Sequence, residues 1–351
     1  MNVMSLGFNE YVKNEFEKFE SQDVLVGRVA LEHKRLYRVW TDEGELLCEV
    51  SGKFSYEASS REDYPAVGDW VVIKARVYEQ KGTILAVLPR KSKFSRKVAG
   101  QTTDEQIVAT NVDTVFLVNS LNDDLNLRRL ERYLLLTWES GANPVIVLTK
   151  ADLSNDVAEK MAEVESVALG VPVISVSVVN GIGLEQLQTF LKPGETIALL
   201  GSSGVGKSTL TNYFVGEEKQ KVQGIREDDD KGRHTTTHRE LILTPSGAIL
   251  IDTPGMREIQ LWESESGLAE SFSDIEILAE DCRFRDCKHD DEPGCAVRTA
   301  IEEGQFDQDR LISYKKLLKE LAFLDRKMDK RAQAEEKKKW KNITKHVKHR
   351  K

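Results

Sequence analysis

No stretch of this 351-residue chain strings together the roughly eighteen apolar residues that a bilayer-crossing helix needs. The opening segment MNVMSLGFNEYVKNEF lacks the basic start and apolar centre of a secretory signal, so a cytoplasmic protein is expected. Only four cysteines are present, and three of them crowd between Cys282 and Cys295, which makes a poor disulfide framework and a better metal site. A positive excess is missing too: the formal charge of −8 argues against a general nucleic-acid coat. No internal repeat is present.

The average charge hides an asymmetry. From Arg326 onward twelve Lys and Arg face only Asp329, Glu335 and Glu336, so this arm carries +9 and the remainder −17. An acidic body with a basic arm fits a polyanionic partner touched at one end; a solvated, partly helical tail is the alternative.

Three segments follow one another. Between about Asp23 and Pro89 five short β-rich runs (DVLVGRVAL, LYRVWT, ELLCEV, DWVVIKARVY, GTILAVL) alternate with turn-rich pieces. They predict a small five-stranded barrel of the oligonucleotide/oligosaccharide-binding (OB) type, with an SH3-like barrel as the alternative. The basic strip RKSKFSRK, Arg90 to Lys97, follows; it suits either a backbone-clamping strip with Phe94 as a stacking ring, or a linker. From about Gln106 to Trp262 apolar strands alternate with helical stretches, the pattern of a parallel sheet covered by helices on both faces. The third segment holds the cysteines and then LISYKKLLKELAFLDRKM, where Leu311, Tyr314, Leu318 and Leu321 recur at helical spacing. These readings place boundaries at 1–97, 98–262 and 263–351.

The second segment carries the chemistry. GSSGVGKST follows the strand TIALL and precedes a helical pattern, the setting a phosphate loop requires. Gly201, Ser202, Ser203, Gly204, Val205, Gly206, Lys207, Ser208 and Thr209 would form the nucleotide-binding loop, with the backbone amides of Ser203 to Ser208 able to point at the phosphates. Lys207 would reach the β and γ phosphates and Ser208 would hold Mg²⁺. Further on, GAILIDTPGM ends a second strand in Asp252, which can hold Mg²⁺ through water, and the Gly255 amide can meet a γ-phosphate. Between them GRHTTTHREL has the threonines of a switch loop.

Earlier in the chain, LTKAD closes another apolar run. Thr149, Lys150, Ala151 and Asp152 form a guanine-reading motif, with Asp152 accepting from N1 and N2 of the base and Lys150 lying against the ring. Ser177 and the Val178 amide, after the next strand, could support the guanine O6. The order is base, base, phosphate, switch, switch. A parallel sheet depends on spatial neighbours and not on chain order, so these elements imply a circularly permuted P-loop GTPase domain that binds GTP and GDP.

Met256 occupies the position after Asp-x-x-Gly where many GTPases place a water-orienting Gln. A thioether cannot orient water. His234, beside the threonines, is the local group able to position or accept from an attacking water. Cys282, Cys287, His289 and Cys295, spaced C-x4-C-x-H-x5-C, would close a tetrahedron around one structural Zn²⁺ per chain and leave no place for water.

TKAD, GSSGVGKS, GRHTTT, DTPG and the cysteine motif, in that order behind a barrel containing PAVGDW, resemble the RsgA family of circularly permuted small-ribosomal-subunit biogenesis GTPases. The resemblance spans essentially the whole chain. It implies GTP hydrolysis stimulated by the small ribosomal subunit during late maturation, contact of barrel and zinc module with ribosomal RNA, a catalytic role for His234, and Thr236 as a third Mg²⁺ ligand. It also implies a monomer with no membrane partner. Thr149 stands where many GTPases have Asn, which would loosen the base site without changing the base chosen. A small-molecule phosphotransferase and an RNA-binding module with a non-hydrolysing nucleotide site are the competing readings.

Overall fold

The computed structural model describes residues 2–19, 23–97, 105–122, 125–216, 240–252, 271–305, 307–319 and 321–322. The chain divides into two compact units, Met1–Gln260 and Leu261–Lys351.

In the first unit the five expected barrel strands form: β1 (Leu25–His33), β2 (Leu36–Thr41), β3 (Gly44–Val50), β4 (Trp70–Arg76) and β5 (Lys81–Val87). They run in the spatial order β1-β2-β3-β5-β4, with β4 paired back to β1 and a single parallel pair, β3 with β5. This five-stranded closure is the OB-type barrel; the SH3-like alternative drops out. Val29, Val39, Leu46, Val71, Ile73 and Ile84 fill its interior, because alternate residues of each strand point inward.

Part of the basic strip enters a strand, and Phe94 is not available as a stacking ring. Lys93–Lys97 forms β6, a hairpin with β7 (Glu105–Thr110), and Phe94 is 1% exposed. Arg90 makes a two-pronged bond to the buried Asp69 at 2.8 Å and donates to the Glu62 and Tyr64 carbonyls, while Lys91 pairs with Asp113 at 2.9 Å. Arg90, Lys91 and, at 3.4 Å from Glu62, Lys93 are thus paired with carboxylates, and its one aromatic ring is packed away.

The nucleotide-type sheet is β10 (Val173–Ser175), β9 (Asn143–Thr149), β8 (Thr114–Ser120), β11 (Thr196–Leu200), β13 (Ile249–Asp252) and β12 (Glu240–Leu243), parallel except for β12. Phe116, Val118, Val145, Val147, Ile197 and Leu199 bury one face beneath α5 (Leu184–Gln188) and α6 (Lys207–Val215). Leu117, Ile146, Leu148 and Leu200, one residue out of phase, are buried on the other, where α3 (Leu127–Ser140) contacts β8 and β9. Burial on both faces is why these strands read as continuous apolar runs.

Barrel and sheet meet through one pair of strands, Leu31 opposite Glu240, and through Arg28. This arginine is 2% exposed and donates to the carbonyls of Leu6, Gly68 and Asn111 and to Thr196 Oγ1 at the start of β11. It also lies over the Trp70 ring at 5.5 Å. Burial lowers the guanidinium to about 10, against the opposing pull of Asp113 and Asp69, so it stays charged at neutral pH. A charge so buried persists because four acceptors from different elements surround it.

In the second unit the described helices are Ser273–Glu280, Ala296–Glu302 and 308–319. Leu311, Tyr314 and Leu321 are buried as their spacing predicts, but Leu318 is exposed and Leu317 is buried in its place. Among the described residues no helix is long and apolar enough to cross a membrane.

Candidate functional site

Because β8, β9, β10, β11 and β13 are parallel, their carboxyl ends share one edge of the sheet. Thr149 ends β9, Ser177 lies just past β10, Gly201 just past β11, and Asp252 ends β13. The residues that the chain presents as base, base, phosphate and switch therefore converge on that edge. The sheet brings them together although the base motif precedes the phosphate loop in the chain.

The phosphate loop passes close to β8 at its first residue. A Cβ on Gly201 would stand 2.2 Å from the Val118 carbonyl oxygen, so only glycine lets β11 pass β8 at this point. Gly204 and Gly206 have φ of +79° and +98°, in the left-handed region. Val205 between them is 1% exposed and packs in the core with Val118 and Leu210, anchoring the loop from below. Gly206 caps α6 with no side chain, so a ligand can meet the backbone amides of the first turn, where the helix dipole favours an anion. The Lys207 ammonium donates to the carbonyls of Gly201 (2.7 Å) and Ser202 (2.5 Å), which places its charge across the loop. Ser208 and Thr209 lie exposed in the first turn of α6.

On the base side Lys150 adopts φ +59°, and the Ala151 amide donates to the Val176 carbonyl, clipping the loop after β9 to the end of β10. Asp152 is exposed within the short 3-10 turn Ala151–Leu153. Ser177 is buried; its backbone exchanges two hydrogen bonds with Ile182, and its hydroxyl accepts from the Asn180 amide. Its polar groups thus organise their own loop, while Val178 packs partly against the core. Thr149, 4% exposed, donates from its hydroxyl toward the Val205 carbonyl at 2.5 Å, with the Asn119 carbonyl at 3.2 Å. That contact between the guanine motif and the phosphate loop is absent from the reading of the residues, because it joins positions 56 apart with no local pattern. Asn119 is also new to the site: it is fully buried beside these two loops and its Oδ1 has no hydrogen-bond partner. The signal was a polar residue closing the apolar run VFLV.

His234, Thr236, Gly255 and Met256 lie outside the described residues, as does the basic arm from Arg326; Asp252 is described as the end of β13.

In the second unit the ligand atoms of Cys282, Cys287, His289 and Cys295 all lie within 4.8 Å of one another. Cys282 Sγ stands 3.9 Å from Cys295 Sγ and 3.6 Å from His289 Nδ1, and Cys295 Sγ is 3.4 Å from that nitrogen. Tetrahedral zinc, with Zn–S near 2.3 Å and Zn–N near 2.05 Å, demands about 3.8 Å between sulfurs and about 3.6 Å between sulfur and nitrogen. The cluster fits a zinc site. Burial, and then the charge of Lys315, lowers the His289 pKa and keeps the imidazole in the neutral form a ligand needs. Burial first, with the Cys295 and Cys282 side chains and against the opposing bond from the His289 backbone, pushes the Cys287 thiol up to about 11, a resistance to ionisation that a coordinated cation would overcome. Lys315 also donates to the His289 carbonyl (2.8 Å) and to Asp290 (2.7 Å), so the helix 308–319 pins the ligand loop.

A family profile described as RsgA GTPase matches residues 87–262. The chain is 47% identical over 336 residues to the small ribosomal subunit biogenesis GTPase RsgA 1 of Oceanobacillus iheyensis, covering 95% of this chain and 96% of that one. It is 45% identical over 352 residues to the RsgA of Opitutus terrae, covering 98% and 96%. Among solved structures it is similar to YjeQ from Thermotoga maritima, with TM-score 0.64, 28% identity, and 85% of this chain and 99% of that chain covered. It is also similar to YloQ, described as a circularly permuted GTPase, with TM-score 0.62, 25% identity and 85% and 95% covered.

Proposed function

The chain belongs to the RsgA GTPase family, and from that premise we propose that it binds the small ribosomal subunit and hydrolyses GTP during the subunit's late maturation, with turnover stimulated by the subunit. The observation that carries this reading is the convergence of TKAD, the loop after β10, the phosphate loop and Asp252 on one sheet edge.

In this reading Asp152 accepts from the guanine N1 and N2 groups, a donor pair that adenine does not present, and Lys150 covers the ring. Ser177 orders the loop whose Val178 amide faces O6. Amides of Ser203 to Ser208 hold the phosphates, and Lys207 leaves its loop carbonyls to neutralise the β and γ oxygens. Ser208, Thr236 and Asp252 would hold Mg²⁺, which when bound offsets charge building on the transferred phosphoryl group. With Met256 unable to direct water, His234 positions the attacking water or accepts its proton. The Zn²⁺ held by Cys282, Cys287, His289 and Cys295 is structural, since four protein ligands complete its shell. The barrel, the zinc unit and the basic arm supply ribosomal RNA contacts, and the protein works as a cytoplasmic monomer. The segments 1–97, 98–262 and 263–351 divide these tasks.

The test is GTP turnover with and without small ribosomal subunits, using large subunits as the control. Stimulation by small subunits alone is the expected result; equal rates in all three mixtures would overturn the assembly role. His234→Ala is expected to bind GTP normally and lose the stimulated rate.

A further inference from the structure

We propose that Lys160, which belongs to no motif, is a positioning residue for Asp152. Its ammonium fastens the far end of the base-reading turn to the chain just past β8. The inference rests on the nucleotide reading above and deepens it.

Asp152 is exposed, and among the described residues no hydrogen bond fixes its carboxylate. Its direction is therefore set by the turn Ala151–Leu153 that carries it. The chain enters this turn through Thr149, whose carbonyl accepts from the Leu121 amide at 2.9 Å, and leaves through Ser154. Lys160 lies in the first turn of α4 (Val157–Val167) and reaches back over that exit. Its Nζ donates to the Leu121 carbonyl at 2.8 Å and to Ser154 Oγ at 3.2 Å, and pairs with Asp156 Oδ1 at 3.0 Å. An ammonium has three protons and here finds three acceptors. Ser154 gives its own proton to Asp156 at 2.7 Å, which leaves its oxygen lone pairs to Lys160. Leu121, whose side chain is fully buried, thus anchors both ends of the turn: its amide holds the entry and its carbonyl, through Lys160, the exit.

A helix-stabilising pair with Asp156 would explain one of these contacts. It does not explain the Leu121 carbonyl, 39 positions away, or the hydroxyl in the loop before the helix. What the extra contacts secure is the aim of a carboxylate that must meet two donors at once. The N1 and N2 protons of guanine lie along one edge in one plane, so a displaced turn weakens both bonds together. None of the three acceptors belongs to the phosphate loop, whose hold on phosphate is therefore independent of Lys160.

The experiment measures affinities of the full-length protein for GTP, for ITP, which lacks the 2-amino group, and for inorganic tripolyphosphate, which lacks the base. Lys160→Met keeps the apolar stem and removes all three donors. It is expected to weaken GTP about tenfold and ITP by less, and to leave tripolyphosphate unchanged. Lys160→Arg, which restores a charged donor, is expected to recover part of the GTP affinity. Equal weakening of all three ligands would make Lys160 a general support of the fold and overturn the proposal, as would unchanged GTP binding. Should Lys160→Met not fold, Ser154→Ala decides, because it takes away only the acceptor at the end of the turn. A smaller loss confined to GTP and ITP then supports the proposal, and an unchanged GTP affinity overturns it. Wild-type protein that binds GTP no more tightly than ATP would remove the base reading itself and the proposal with it, a failure visible before any variant is made.

Discussion

The two units of this molecule are held together by different means. Met1–Gln260 buries two large apolar clusters, one inside the barrel and one beneath α5 and α6, and its stability is spread over many side chains. Among the described residues of Leu261–Lys351 the buried apolar side chains include Phe272, Ile275, Val297, Leu311 and Tyr314, and directed bonds work beside them. Arg310, 3% exposed, grips Asp274 through two nitrogens at 2.6 and 2.8 Å, donates to the Ser271 carbonyl and lies over the Phe272 ring at 4.9 Å. Three sulfurs and an imidazole cluster beside it in sequence. A sheet with two covered faces can be stabilised by area; a small module substitutes a few strong, geometrically exacting contacts.

This contrast can be broken most forcefully by removing metal. A chelator is expected to cost the second unit about 10 kcal/mol. Amide exchange should then show protection lost across 282–319 and retained in β8 and β11; simultaneous loss in both would mean the units do not melt separately. Next in size is Phe116→Ala. This fully buried ring meets Phe190 and Phe214 edge-on or tilted, and its truncation should destabilise the first unit by about 3–5 kcal/mol in denaturant titration without releasing zinc. Arg310→Met should cost about 3 kcal/mol in the second unit, because Asp274 keeps its charge and loses its partner. Smallest is Glu57→Gln, which removes an exposed i,i+4 pair with Lys53 on the barrel surface; the expected change is under about 0.5 kcal/mol.

How much could be read without coordinates depended on the range of the contact. The strands of barrel and sheet announced themselves through local alternation or continuous apolar runs, and the helical stretches between the sheet strands through periods such as that of α3, repeated nearly four times. The motifs of the site were legible because each is short and sits at a strand end. By contrast, α1 (Glu10–Glu17) buries only Val12, too thin a stripe to show a period. The hairpin β6–β7 hid behind its lysines and arginines. Arg28 looked like one more charge in a strand; its partners stand 22, 40, 83 and 168 positions away, and no local pattern records such distances. Thr149 illustrates the same point within the site: its identity was legible, its partner was not.

The permuted strand order also has a consequence for synthesis. A chain made from its amino end releases the barrel first, then β8, β9 and β10, whose mutual pairs join sequence neighbours. By residue 175 the half-sheet that carries the guanine motif has every strand it needs to zip up, before Gly201 has been added. When β11 emerges, it docks by its edge onto β8, a template already in place, and the loop at its end closes over a waiting Thr149. In the unpermuted order the phosphate loop would be the oldest part of the site; here it is fitted last, against a finished wall.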